Sequence, residues 1–464
     1  MVSAQSIHNL EKTIGLGLLL TTISITPMLS MDPINPPKML SLVIFAVLIG
    51  GQLTIYRKKI EGDLFKNLFR FTLILELIIL ANLFITKGDF WTKFFGVSGR
   101  NTGALTYICL TALLFISAVV MKDSNLSKIY FYINLTGTIC LIYGLVQALN
   151  FDPFSWSNPY SPVFGFLGNP NFHSSFIAMF AVETFSFGLN TNLSSRIRVT
   201  NFLITVLCLV SVFTTKSQQG FLVFAAGILL PLYLALRERL SKIQMFIGIC
   251  AAGAISVLSV LGMLQIGPLK SLLYKDSVTY RGDYWRAGWK MALENPLFGV
   301  GFDQYGNWYR RTRSVEATLR RGPEFTSNAA HNVFIDFAAS GGFLLLAIYL
   351  LLIGLTIKAI RDICRVRKVD NPIILGVIGM WIAYQAQSII SINQIGLAIW
   401  GWVLSGTIIG FSYNLSSKNS EHLKEIPGRG PKIVKNSTQP LSAGLLLYSI
   451  FLVCLGAFLA GPVM

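Results

Sequence analysis

Residues 102–121 read TGALTYICLTALLFISAVVM, twenty positions without a charge. A helix of that length rises about 30 Å, the thickness of a bilayer's hydrocarbon core. A span in lipid must satisfy every backbone N–H and C=O internally, so a continuous apolar run is helical there. A membrane barrel would need short strands of alternating polarity, and this run does not alternate. The same texture recurs at approximately 14–30, 38–55, 68–86, 128–149, 172–190, 199–215, 219–236, 243–265, 332–357, 372–392, 394–413 and 441–460. The sequence therefore predicts an all-α, polytopic transmembrane helical bundle of about 12–14 spans, with one long, partly helical extracytoplasmic loop.

Composition agrees. Of the 464 residues 53% are hydrophobic and 13% charged, with a mean hydropathy of +0.60; soluble proteins carry about 25% charged residues. A net charge of +17 would point to nucleic acid in a soluble chain. Here the positive charges lie mostly between apolar blocks and read as topology, so no nucleic acid partner is expected. Loops of one parity carry most of them, among them Arg57, Lys58, Lys59, Lys66 and Arg70, then Lys122 and Lys128, Arg196 and Arg198, Arg237, Arg239 and Lys242, Lys358, Arg361, Arg365, Arg367 and Lys368, and Lys418, Lys424, Arg429, Lys432 and Lys435. Short loops of the other parity hold only Lys38, Lys87, Lys93, Arg100 and Lys216. This bias predicts a multi-pass protein of the inner (cytoplasmic) membrane, with a cytoplasmic N-terminus and an external long loop. Lys12 and the apolar run from Ile14 resemble a signal peptide, but no small-x-small cleavage site follows, so the run reads as a first retained span.

The expected organisation is an N-terminal transmembrane bundle over 1–265, the long loop over 266–331, and a C-terminal bundle over 332–413. A polar, Pro- and Gly-containing cytoplasmic linker over 414–440 and a last helix within 441–464 complete it. The six cysteines sit mostly inside apolar stretches without a CxxC pair, as small core hydrophobes.

The long loop is basic and aromatic at once. Tyr280–Glu294 reads as a helix stopped by Asn295-Pro296. Arg281, Trp285 and Trp289 share one face of it, and Arg286 and Lys290 a neighbouring one. Such a helix suits a membrane interface, and equally a wall that grips a lipid-linked phosphate. Gly299-Val300-Gly301 is a tight turn and a weak phosphate signal. His331, one of four histidines, stands at the outer mouth of the span that Asn332 opens, where an imidazole can serve as a general base or simply as an interfacial side chain. Asp336 and Asn332 are poorly spaced to orient its ring. Glu76 and Glu183 lie inside spans, as relay groups or as neutral buried acids. The loop FGFLGNPNF (164–172) and the segment GVSGRN (96–101) with Arg100 face the same side.

Five blocks in this order resemble the O-antigen ligase/polymerase superfamily of bacterial envelope glycan assembly: GRNTG (99–103), GNPNF (168–172), TKSQQG (215–220), RGDYWRAGWKMALENPLFGVGFDQYG (281–306) and SNAAHNVFIDFAASGGFLLL (327–346). The resemblance implies a metal-independent, cofactor-free glycosyltransferase. It would move a glycan from an undecaprenyl-diphosphate-linked donor to an acceptor hydroxyl on a glycan or lipid, at the outer membrane face and among membrane lipids. It implies His331 as the base, Arg281 and Arg286 as the diphosphate clamp, and Arg100, Asn169, Asn171, Lys216, Gln218, Trp285 and Asn332 as substrate-binding residues. Many relatives carry an arginine just before the span that starts near Gly220; here the segment is Ser217-Gln218-Gln219, and Lys216 or Arg100 would have to substitute. The alternatives are an anion transporter, since cyanobacterial relatives are linked to bicarbonate uptake, and a non-catalytic scaffold that binds anionic lipid.

Overall fold

The computed structural model describes residues 4–27, 32–56, 63–121, 124, 126–156, 162–237, 239–263, 266–273, 276–365, 371–422 and 443–461, and all of the secondary structure among them is helical. In chain order the helices are α1 (Ala4–Ile23), α2 (Asn35–Tyr56), α3 (Asp63–Ile85), the short α4 (Phe90–Phe95), α5 (Ala104–Met121), α6 (Ser127–Ala148), α7 (Pro170–Gly188), α8 (Ser195–Thr214), α9 (Gln219–Leu236) and α10 (Lys242–Met263). The long loop folds into α11 (Lys270–Leu273), α12 (Asp276–Glu294), α13 (Tyr305–Thr312) and α14 (Val315–Arg321). Then follow α15 (Val333–Arg365), α16 (Pro372–Ile390), α17 (Ile395–His422) and α18 (Ala443–Ala460).

Among the described residues nine helices are long and apolar enough to cross a membrane: α2, α3, α5, α6, α8, α9, α15, α16 and α17. At 19 residues α7 is as long as several of these, but it carries Ser174, Ser175, Glu183 and Thr184, all buried. Protein surrounds this helix: α8, α9 and α16 pack along it. A second tight pairing joins α5 to α17, with α1, α2 and α15 against them, and one continuous apolar core links the two groups. The linker expected from 414 is helical as far as His422; residues 423–440 lie outside the described residues, as do Arg57, Lys58, Lys59, Lys122, Arg367, Lys368, Lys424, Arg429, Lys432 and Lys435.

Two lysines counted as loop charges are helix caps instead. Lys38 is fully buried in the first turn of α2, and its Nζ donates to the carbonyls of Thr22 (2.6 Å) and Ser24 (3.0 Å) at the end of α1. Lys93 does the same for α3, donating to the carbonyls of Leu83 and Thr86. The last carbonyls of a helix have no partner within it, and a cation there is favourable on both counts.

The long loop forms a lobe with its own small core. Tyr284, Ala287 and Met291 of α12 turn inward against Val300, Tyr305, Tyr309, Ala330 and Ala339. Trp289, Leu293 and Leu297 stay exposed on the outer side. The lobe is fastened to α15 at a break. Gly342 has φ 68° and ψ −173°, so the helix is interrupted there. The freed carbonyls of Ala339 and Ser340 accept the N–H groups of Val300 (2.8 Å) and Gly301 (3.0 Å), and Phe343 donates its N–H to the Pro296 carbonyl (2.7 Å). A Cβ on Gly342 would lie 2.4 Å from the Leu297 carbonyl oxygen, and one on Gly299 2.4 Å from that of Ala339. The turn at 299–301 is thus a clasp on α15, and the N–H groups of Val300 and Gly301 are spent on it.

Candidate functional site

Asparagine and glycine steer the chain into one cavity. Asn169 precedes α7, and its side chain accepts the N–H of Asn171 as an N-cap. Asn332 caps α15 in the same way, accepting the N–H groups of Phe334 (3.0 Å) and Ile335 (3.1 Å). Gln394 accepts the N–H of Leu397 at the start of α17. Asn35 opens α2 and donates to the Gly99 carbonyl (2.7 Å). These segments enclose a cavity of about 310 Å³ lined by Asp32, Asn35, Arg100, Asn169, His331 and Asn393, with Phe172 and Gln394 beside them. The residues that open or precede α2, α5, α7, α15 and α17 all contribute to its wall. Helix N-termini present unpaired N–H groups and a positive dipole end, a setting that favours an anion.

His331 is held by geometry and not by a capping residue of its own helix. Its φ is 55°, in the left-handed region. Its ring packs on Tyr284, centroids 5.5 Å apart and planes 31° from parallel. Tyr284 is itself fixed: Tyr305 donates its hydroxyl to the Tyr284 carbonyl (2.6 Å), and Arg321 donates to the Tyr284 hydroxyl (3.3 Å). Asp336 accepts the N–H of Ala330 (2.7 Å), which anchors the backbone just before His331. Burial, and then the charges of Arg281 and Arg100, push the His331 imidazole down to about 4. The ring is therefore neutral near pH 7 and has a lone pair free to take a proton.

Arg100 reaches this site through an acidic anchor. Asp303 accepts the N–H groups of Val97 and Thr102 (3.0 Å each) and the Thr102 hydroxyl (2.7 Å), and lies 3.9 Å from Arg100 Nε. Arg100 also donates to the Asn328 carbonyl, which ties the segment before α5 to the segment before His331. Burial works against the Arg100 charge, and Asp303 and Asp336 more than offset it, so its pKa is pushed up.

Not all of the predicted residues meet here. His331, Arg100 and Asn169 line the cavity, and Arg281 lies close enough to depress the imidazole. Arg286 is exposed on another side of α12, where its charge acts on Glu316 of α14. Trp285 packs against the lobe core. Asn171 belongs to a neighbouring network: Ser217 donates to Asn171 Oδ1 (2.7 Å), Ser174 to Ser217 (3.1 Å), and Gln219 to Ser175 (2.9 Å). That network pins the α8–α9 turn to the head of α7 and leaves Lys216 and Gln218 exposed on it. Asp32, Asn35, Asn393 and Gln394 were not singled out from the sequence. The polar SINQ break (391–394) between two apolar runs was the available signal for the last two.

These features define a polytopic helical membrane protein with a cavity at one end of the bundle, lined by the His331 imidazole and the Arg100 guanidinium, with Arg281 acting on the imidazole. Residues 203–350 match the family model for O-antigen ligase. That segment runs from α8 through the lobe into α15, and with the all-helical fold it supports the O-antigen ligase/polymerase superfamily. No curated protein matches this chain.

Proposed function

We propose that this chain transfers a glycan from an undecaprenyl-diphosphate carrier to an acceptor hydroxyl, with His331 as general base and Arg100 and Arg281 facing the diphosphate. The observation that carries the reading is that the neutral His331 ring and the Arg100 guanidinium line one cavity ringed by helix N-termini, while the charge of Arg281 acts on the same ring. In the reaction, the acceptor oxygen forms a bond to the anomeric carbon while the bond from that carbon to the diphosphate oxygen breaks. The leaving diphosphate keeps the electron pair, and His331 takes the hydroxyl proton and later releases it to water. Negative charge grows on the leaving oxygens, where guanidiniums stay charged and bind phosphate in bidentate fashion. Arg286 is the expected clamp residue that this version replaces, by Arg100.

The test is glycan transfer in proteoliposomes, with a lipid-diphosphate-linked glycan as donor and an acceptor oligosaccharide. His331→Asn keeps a residue tolerant of the left-handed backbone but removes the base. Transfer is expected to fall by about 10²–10⁴-fold, the usual contribution of a positioned acid or base. Undiminished transfer by correctly inserted His331→Asn protein would refute the assignment. An anion transporter is the rival, and a broken helix lining a midplane cavity would favour it. The break at Gly342 is instead filled by the turn at 296–301, whose N–H groups take the freed carbonyls.

A further inference from the structure

A second cavity, larger than the one around His331, lies among the described residues. It has a volume of about 430 Å³ and lies at the other end of the bundle, where α7 and α9 end and α16 begins. The helix α7 runs 19 residues from Asn169, on the first cavity, to Leu189, on this one, which separates them by roughly 28 Å. Its wall is divided. Leu189, Pro231, Leu234, Ala235 and Leu375 make an apolar side, and Arg237, Arg239, Asn190 and Asn192 a polar one. Neither guanidinium is in an ion pair or hydrogen bond with a described side chain. The head of α16 is already capped, since Pro372 has no N–H and Asn371 accepts that of Ile373 (3.0 Å), so the two guanidiniums carry the polar side.

We infer that this cavity is a binding site for a phosphate ester with an apolar tail, the chemistry of an anionic phospholipid. Two guanidiniums without a described side-chain partner match the phosphate, and the leucine and proline wall matches the first carbons of an acyl chain. A free phosphate compound would share the polar half of the site and not the apolar half. The inference is independent of the glycan-transfer reading, because no residue is shared between the two cavities.

Delipidated full-length protein in detergent is titrated with phosphatidylglycerol, phosphatidylcholine, glycerol 3-phosphate and inorganic phosphate, with bound adducts read by native mass spectrometry. The wild type is expected to retain phosphatidylglycerol in preference to phosphatidylcholine. Saturation by glycerol 3-phosphate or inorganic phosphate at equal concentration assigns the site to a free phosphate; weaker binding of both assigns it to lipid. Arg237→Ala and the exposed Arg239→Ala should each weaken binding about tenfold, the loss of one charge-assisted contact. Ala235→Trp keeps every charge but fills the cavity, and should weaken phosphatidylglycerol as much. Lys66→Ala with Arg70→Ala removes two charges elsewhere on the same end and should leave binding unchanged. Equal loss in that control pair, unaltered binding in Ala235→Trp, or no preference between the two lipids overturns the site.

Discussion

His331 is under two opposing demands. Its neutral form is the one a base needs, and burial and the nearby arginines secure it by pushing the imidazole down to about 4. The same shift makes it a weak proton acceptor in the free protein. A bound diphosphate would offset Arg281 and Arg100, so the imidazole should rise toward its ordinary range in the complex. The sign is testable. The acid limb of kcat/KM, which reports the free enzyme, should bend near pH 4, and that of kcat should bend at higher pH. Identical limbs would argue that no anion binds beside the ring. Asp303 is the second telling residue, because it holds the segment before α5 by three donors and stands beside Arg100. Asp303→Asn should raise KM for the donor more than it lowers kcat, and destabilise the fold by about 1–3 kcal/mol. A kcat-only effect, measured at saturating donor, would show that Arg100 serves the chemistry and not the binding.

Single elements explain what could be read in advance and what could not. Tyr280–Glu294 was legible as a helix because Asn295-Pro296 must end it; the structure starts α12 at Asp276. Its inward face was not legible. The shared face of Arg281, Trp285 and Trp289 suits a membrane interface or a phosphate-gripping wall, but the residues that turn inward are Tyr284, Ala287 and Met291, with Trp285 packed beside them and Trp289 46% exposed. Periodicity fixes which residues lie together, but which of two similar faces is covered depends on a partner far along the chain. Gly299-Val300-Gly301 shows the same limit. It was legible as a turn, while its hydrogen-bond partners, the carbonyls of Ala339 and Ser340, exist only because α15 breaks at Gly342. Gly342→Ala should cost about 1–3 kcal/mol, from a disfavoured φ and from the close Leu297 carbonyl. Thermal unfolding in detergent measures this, and an unchanged midpoint would mean that the break relaxes without strain.

At the scale of the whole molecule, the apolar runs gave the helical class directly, because lipid leaves no other way to satisfy the backbone. The cavity was legible only in pieces. His331, Arg100 and Asn169 stood out by residue type, whereas Asp32, Asn35 and Asn393 looked like ordinary loop polars until five helix starts met. The sidedness proposed from the loop charges, with the lobe outside, is checked by cysteine labelling. In a cysteine-free background, Leu319→Cys on α14 should react with an impermeant maleimide added to intact cells, and Arg239→Cys only after permeabilisation. The reverse pattern would invert the proposed topology. The clasp between the lobe and the broken helix also bears on how such chains can diverge. His331 stands just before the segment Val333–Gly341, and the break at Gly342 is locked at its far end. One inserted residue within that segment would rotate its head by about 100° and carry the imidazole away from Arg100. Surface turns beyond α13 face no such restriction, so length variation among sister sequences should collect there and spare the short rod between histidine and glycine.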